Sequence, residues 1–184
     1  MEKYRVRAVH DERTITVYQA YPPAIADAAL AAGTFVPPFK RERMTWIKPS
    51  FLWMMYRSGY ARKPDQERVL AVRITREGFA WALANSCAST PGELPQEEWR
   101  RTLRTTPVRT QWDPERGLRH EALAHRSLQV GLSGEAVARY VDEWIVDLTD
   151  VTPLAHTIGA AVAAGDLDTA RAALPAEHPY PLPE

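Results

Sequence analysis

Glu143 stands at the head of a run that otherwise reads as a buried strand, Trp144, Ile145, Val146 and then Leu148, within YVDEWIVDLTDVTPL. An ionised carboxylate is expensive to bury against Trp and Ile. Either it points to water, or it is held at the edge of a site. There it could accept a hydrogen bond from a ribose hydroxyl and favour positive charge developing at an anomeric carbon. A second group lies in VYQAY, where Gln19 offers an amide donor and a carbonyl acceptor beside Tyr21. The third is MTWIKPSFLWMMYRSGY. Here Trp46 and Tyr56 bring flat aromatic faces beside Lys48, Arg57 and the Ser50 hydroxyl, a set suited to a planar heterocycle joined to phosphate. The plain alternatives are a strand-end glutamine, an exposed acid, and core packing of Phe51, Leu52, Met55 and one Trp at helical spacing.

Other chemistries lack their residues. No glycine-rich dinucleotide or phosphate loop, no GxSxG and no HExxH is present. His120 and His125 lie five apart, a spacing that does not stack on a helix, and no metal site is expected. The lone Cys87, in an Ala-rich stretch, reads as a small core residue and allows no intrachain disulfide.

The elements that must position these groups follow from local pattern. YRVRAVH and ITVYQAY read as strands about a polar DERT turn. PPAIADAALAAG opens on Pro and stops at Gly33, which predicts a helix. TFVPPFKRERMTWI is extended because paired prolines exclude helix. KPSFLWMMYRSG predicts a second helix, ERVLAVRIT a strand, REGFAWALANSCA a helix and QEEWRRTLRT an amphipathic helix. PVRTQWD reads as a strand, PERGLRHEALAH as a loop and SLQVGL as a strand. SGEAVARYV is a short helix capped by Ser133, and EWIVDLT is a strand opened by Glu143. One or two helices close the chain before an AEHPYPLPE tail. Without a strict strand–helix–strand rhythm, an α+β domain is expected.

The chain of 184 residues and 20.8 kDa predicts a single domain spanning 1–184, with 155–184 as a C-terminal helical extension and tail. Its zero net charge is divided unevenly. Residues 40–76 carry ten Lys/Arg against three Asp/Glu, and residues 121–184 carry three Arg against ten acids. A cationic middle suits phosphates, although the two regions could equally attract each other in the fold. With no apolar leader or span, a cytoplasmic protein is expected.

The runs VYQAYPPAIADAAL, FVPPFKRERMTWIKPSFLWMMYRSG, RSLQVGLS and VDEWIV resemble the bacterial and fungal family known as domain of unknown function 4291. A more distant resemblance is to ADP-ribosyltransferases related to diphtheria toxin and the poly-ADP-ribose polymerases. In those enzymes an early strand ends in a His and a small hydroxyl residue that hold NAD, and a helix ending at Gly follows. A later strand and the helix after it supply two aromatics that sandwich the nicotinamide, and a late strand opens with a catalytic Glu. VYQAYPPAIADAALAAGTF is similar to the first element, with Gln19 and Tyr21 at the holding positions. MTWIKPSFLWMMY is similar to the second, with Trp46 and Tyr56 as the aromatics, and VDEWIVDLTDVTPL to the third, with Glu143 as the acid. Gln replaces His, Trp replaces the usual Tyr, and the small-residue turn after the first motif is missing.

The resemblance implies split, mostly antiparallel sheets with flanking helices. It implies an enzyme moving ADP-ribose from NAD to a nucleic acid or protein, with release of nicotinamide. Glu143 would then be catalytic. NAD would meet Gln19, Tyr21, Trp46, Lys48, Ser50, Tyr56, Arg57 and Arg73, with Arg126 a further contact to phosphate or acceptor. The alternative is a non-catalytic nucleic-acid binder that uses the basic and aromatic stretch 40–62 for stacking and backbone contacts.

Overall fold

Strand β2 (Thr14–Tyr21) divides the interior in two, because successive strand side chains point to opposite faces. Ile15 and Val17 face one apolar cluster, with Phe35, Val72, Phe79, Val130, Tyr140 and Trp144. Tyr18 faces the other, with Phe51, Met54, Met55, Tyr60 and Ile158. The computed structural model describes residues 3–182, so the extreme ends of the expected 1–184 domain lie outside it.

The remaining elements are β1 (Val6–Ala8), α1 (Pro23–Ala32), β3 (Thr45–Ile47), α2 (Phe51–Ser58), β4 (Arg68–Thr75), α3 (Arg76–Ala84) and β5 (Ser86–Ala88). They continue with α4 (Gln96–Thr105), β6 (Val108–Arg116), β7 (Ala122–Leu132), α5 (Glu135–Arg139) and a π-helical turn (Tyr140–Trp144). Strand β8 (Ile145–Asp150), α6 (Thr152–Ala163), α7 (Leu167–Ala173) and β9 (His178–Tyr180) complete the chain. The fold is α+β. One sheet runs β2-β4-β8 and a second β3-β7-β6-β5, while β1 pairs with β9. Among the described residues the pairings between these strands are antiparallel except β5 with β6. Among the described residues no helix is long and apolar enough to cross a membrane.

Most expected elements form where their signals lie. Helix α1 begins at Pro23 and ends at Gly33, whose φ of 74° is the left-handed geometry that glycine adopts without strain. Four expectations away from the candidate site need correction. SCA leaves the third helix to pair as β5. The expected loop PERGLRHEALAH is largely strand, since β6 runs to Arg116 and β7 starts at Ala122. Ser133 does not cap α5: Gly134 takes that position, and the Ser133 hydroxyl donates to the Pro107 carbonyl at 2.8 Å. The tail is not free, because His178–Tyr180 pairs with β1.

The two larger sheets adjoin at one bridge, where the Tyr18 N–H donates to the Lys48 carbonyl at 2.8 Å. Beyond it β2 and β3 are joined by side chains, and a wedge opens between the sheets. Trp46 of β3 lies opposite Gly131 of β7. A Cβ on Gly131 would come within 2.9 Å of the indole carbons. Gly131→Ala is therefore expected to push the indole off the sheet at a cost of about 1–3 kcal/mol. The check is a lower urea midpoint at unchanged slope.

Helix α2 is pinned by acids. Ser50 accepts the Trp53 N–H at 3.0 Å and donates to Glu115 Oε1 at 2.8 Å, and the Phe51 N–H donates to Glu177 Oε1 at 2.8 Å. Burial pushes the Glu177 carboxyl up to about 8; the Phe51 N–H opposes the shift and the nearby charge of Glu115 adds to it. Between pH 4.5 and 8 the folded chain then holds a proton that the unfolded chain has released. This group's contribution makes stability fall as pH rises through that window. Glu177→Gln should flatten the fall, so the melting temperatures of variant and wild type should diverge progressively from pH 5 to 8.

Candidate functional site

The wedge opens as a cleft of about 440 Å³ lined by, among others, Gln19, Tyr21, Thr45, Trp46, Lys48 and Arg57. Asp65 and Gln66 also line it. A second lobe of about 400 Å³ shares Tyr21, Met44, Thr45 and Asp65 with the first and continues past Ile25, Phe39, Lys40 and Arg43. Three segments distant in sequence, the end of β2, strand β3 and the α2–β4 region, thus meet at one place.

Gln19 is the hinge pin of the wedge. It is buried, and its amide nitrogen donates to the Tyr21 hydroxyl at 2.9 Å, the Thr45 hydroxyl at 3.3 Å and the Trp46 carbonyl at 3.1 Å. Its carbonyl accepts the Tyr140 hydroxyl at 2.6 Å. The side chain stands in for the backbone ladder that β2 and β3 do not make there. The expectation that Gln19 holds out its amide to a ribose is corrected: its donors are engaged within the fold. Tyr21 belongs to the same network, with its hydroxyl within 3.0 Å of Thr45 Oγ1. Burial raises its phenol to about 12, so it stays neutral.

Lys48 is only 8% exposed. Its ammonium has the Trp46 carbonyl at 3.4 Å and the Trp53 ring centroid at 5.3 Å. Among the described residues it forms no ion pair. Burial, reinforced by the charge of Arg57 and only partly offset by Asp113, pushes the amine down to about 7. A lysine buried without a carboxylate is costly, and such groups concentrate at functional sites. Arg57 is exposed and lines the cleft. With its amide nitrogen turned toward the Arg57 carbonyl, Gln66 donates there at 3.1 Å and accepts from Arg57 Nη1 at 3.1 Å. The guanidinium is thereby oriented without being neutralised.

The other candidates lie elsewhere. Glu143 is not at a strand start but in the π-helical turn, where Tyr140, Val141 and Trp144 are buried and Asp142 and Glu143 are exposed. Its nearest cation is Arg139 at 3.7 Å, and it does not line the cleft. Strand β8 opens at Ile145 opposite Ile74, itself opposite Ile15. Gln19 is four residues further along β2, about 13 Å at strand spacing. Tyr56 also misses the cleft. Arg116 covers its ring at 3.9 Å and His120 packs at 5.9 Å, so it does not form an aromatic pair with Trp46 across a ligand. Ser50 is a helix cap committed to Glu115 and Trp53. Arg73 pairs with Asp147 at 3.0 Å on the exposed face of β4. Arg126 lines a separate groove of about 490 Å³ with Tyr4, Trp112 and Asp113. Of the ten candidates, Gln19, Tyr21, Trp46, Lys48 and Arg57 come together.

Thr45, Asp65 and Gln66 belong to the cleft and escaped sequence reading. Asp65 has a φ of 64°, a left-handed turn geometry to which its Pro64-Asp65 dipeptide was the available signal. It is the carboxylate that lines both lobes. Among the described residues no group of three or more His, Cys, Asp or Glu is placed to hold a metal ion.

A comparison with curated proteins gives no match. The family model described as Domain of unknown function (DUF4291) matches residues 5–180. A match over nearly the whole length, taking in every segment that builds the cleft, makes this chain a member of that family.

Proposed function

We propose that the chain binds NAD in the wedge between its sheets and transfers ADP-ribose to a nucleic-acid or protein acceptor. The observation that carries this reading is that the first two segments of the distant resemblance converge. Gln19 and the Trp46 carbonyl lie 3.1 Å apart, in a cleft that also holds Lys48 and Arg57. An ADP-ribosyltransferase-like fold is part of the proposal, supported by the parting of antiparallel sheets between the early strand and the aromatic-bearing strand. A cytoplasmic setting, where NAD is at hand, is part of it too.

In this reading Arg57, held by Gln66, meets the pyrophosphate, and the exposed part of the Trp46 indole offers a flat face to the heterocycle. The bond between nicotinamide and ribose breaks, nicotinamide leaves with the electron pair, and the acceptor nucleophile bonds to the ribose carbon and loses its proton. The protein's share is to orient the dinucleotide and favour the cationic ribose. Glu143 is withdrawn from that role, since it faces water outside the cleft, and Asp65 takes it. The nucleic-acid-binding alternative is less well supported, because Trp53 is buried and the Tyr56 ring is covered by Arg116.

The test is incubation with NAD labelled in the adenine moiety and with protein, DNA and RNA acceptors. Label should transfer in the wild type and fall on the order of a hundredfold in Asp65→Asn. Glu143→Gln should stay within about twofold, as for an exposed surface charge. Absence of transfer to every acceptor would overturn the proposal, and loss in Glu143→Gln alone would overturn the site.

A further inference from the structure

We infer that Lys48 is a nucleophilic amine, set in the cleft wall to form an imine with the aldehyde of a phosphate-bearing ligand such as open-chain ADP-ribose. The inference rests on the cleft being a ligand site, and not on NAD being the ligand. Lysines inside proteins ordinarily pair with a carboxylate or thread their ammonium out to water. Lys48 does neither. It is 8% exposed, the one hydrogen bond of its ammonium among the described residues is the long contact to the Trp46 carbonyl, and its other neighbours include the Trp53 ring and the positive charge of Arg57. Asp113, whose charge reaches it, is engaged by the amides of Gln111 and Gln129. Desolvation beside a second cation is the arrangement that keeps an amine neutral and reactive. Arg57, on the same cleft, supplies the permanent charge that would seat a phosphate.

The chemistry balances without a further reactant. The Nζ lone pair adds to the carbonyl carbon, the carbinolamine loses one water, and the imine remains. Nothing is oxidised or reduced until borohydride is added as a trap. The other three lysines, Lys3, Lys40 and Lys63, are exposed and serve as internal controls.

The experiment treats the full folded chain with pyridoxal 5′-phosphate at pH 7.5, reduces with borohydride and maps the modified peptides by mass spectrometry. Lys48 should be modified at least about tenfold faster than each other lysine, because an ordinary lysine is almost wholly protonated there. Inorganic pyrophosphate should slow that modification. Equal rates at all four lysines, or none at Lys48, would overturn the inference. A parallel arm with ADP-ribose and cyanoborohydride should give an adduct at Lys48, and adducts confined to the exposed lysines would overturn the proposed ligand class. Failure of NAD to protect a labelled Lys48 would leave the reactive amine standing and remove NAD from the cleft.

Discussion

Gln19→Leu is expected to destabilise the fold by about 3 kcal/mol, the largest loss from any one polar side chain of the cleft. Leucine keeps the approximate volume but removes all four hydrogen bonds that the amide makes. The Tyr140 hydroxyl, fully enclosed, is then left without its partner and the Trp46 carbonyl keeps only the long contact to Lys48, and a buried unsatisfied group costs about 1–3 kcal/mol. For a chain of this length that corresponds to a fall in melting temperature of about 6–12 °C. Tyr140→Phe removes only the bond to the Gln19 carbonyl and should cost less, about 1 kcal/mol. A double-mutant cycle between the two positions should show coupling. Unchanged melting of Gln19→Leu would mean that the amide does not hold the sheets together.

Lys48→Met is expected to act in the opposite direction and stabilise the protein. The amine is held near 7 in the fold against 10.5 when free. Below pH 7 both states are protonated and the fold carries the full cost of the buried charge. Between 7 and 10.5 the unfolded chain binds a proton that the folded chain lacks, so this group's contribution makes stability rise with pH. A shift of this size is worth up to about 5 kcal/mol. The gain from methionine should therefore be largest at pH 6, a rise of up to about 10–20 °C, and should vanish above pH 11. A fold that carries a destabilising lysine in an open cleft has the signature of a site kept for function. The same substitution should abolish the fast labelling by pyridoxal phosphate and leave only the slow labelling of Lys3, Lys40 and Lys63. A variant less stable than wild type at pH 6 would show instead that Lys48 is a packing residue.

Much of the scaffold could be read from local pattern. The Pro23 start and Gly33 stop of α1, the helix α2 and the apolar run of β4 are encoded within a few residues, and each forms as expected. EWIV looks like a strand when taken alone, yet Glu143 lies in the π-helical turn. The buried set Val137, Tyr140, Val141 and Trp144 is spaced by three, four and seven residues, which is helical and carries the acid outward. Long-range pairing was invisible: nothing near His178 says that the tail will pair with β1, or that Glu177 will cap α2. Half of the ten candidates meet at the cleft, Gln19, Tyr21, Trp46, Lys48 and Arg57, and these were legible because they bear chemistry on their own. Tyr56, Ser50, Arg73 and Arg126 carry equally suitable groups, but their partners Arg116, Glu115, Asp147 and the Trp112 carbonyl lie far along the chain. Residue type gave no hint of those commitments.

Calorimetric titration of NAD into the folded chain at low salt tests the wedge as a dinucleotide site most directly. Saturable one-to-one binding is expected, weakened about tenfold or more by Arg57→Gln, as for a lost charge-assisted contact. Glu143→Gln should leave that binding unchanged. Absence of saturable heat, or equal weakening by both substitutions, would contradict the dinucleotide site.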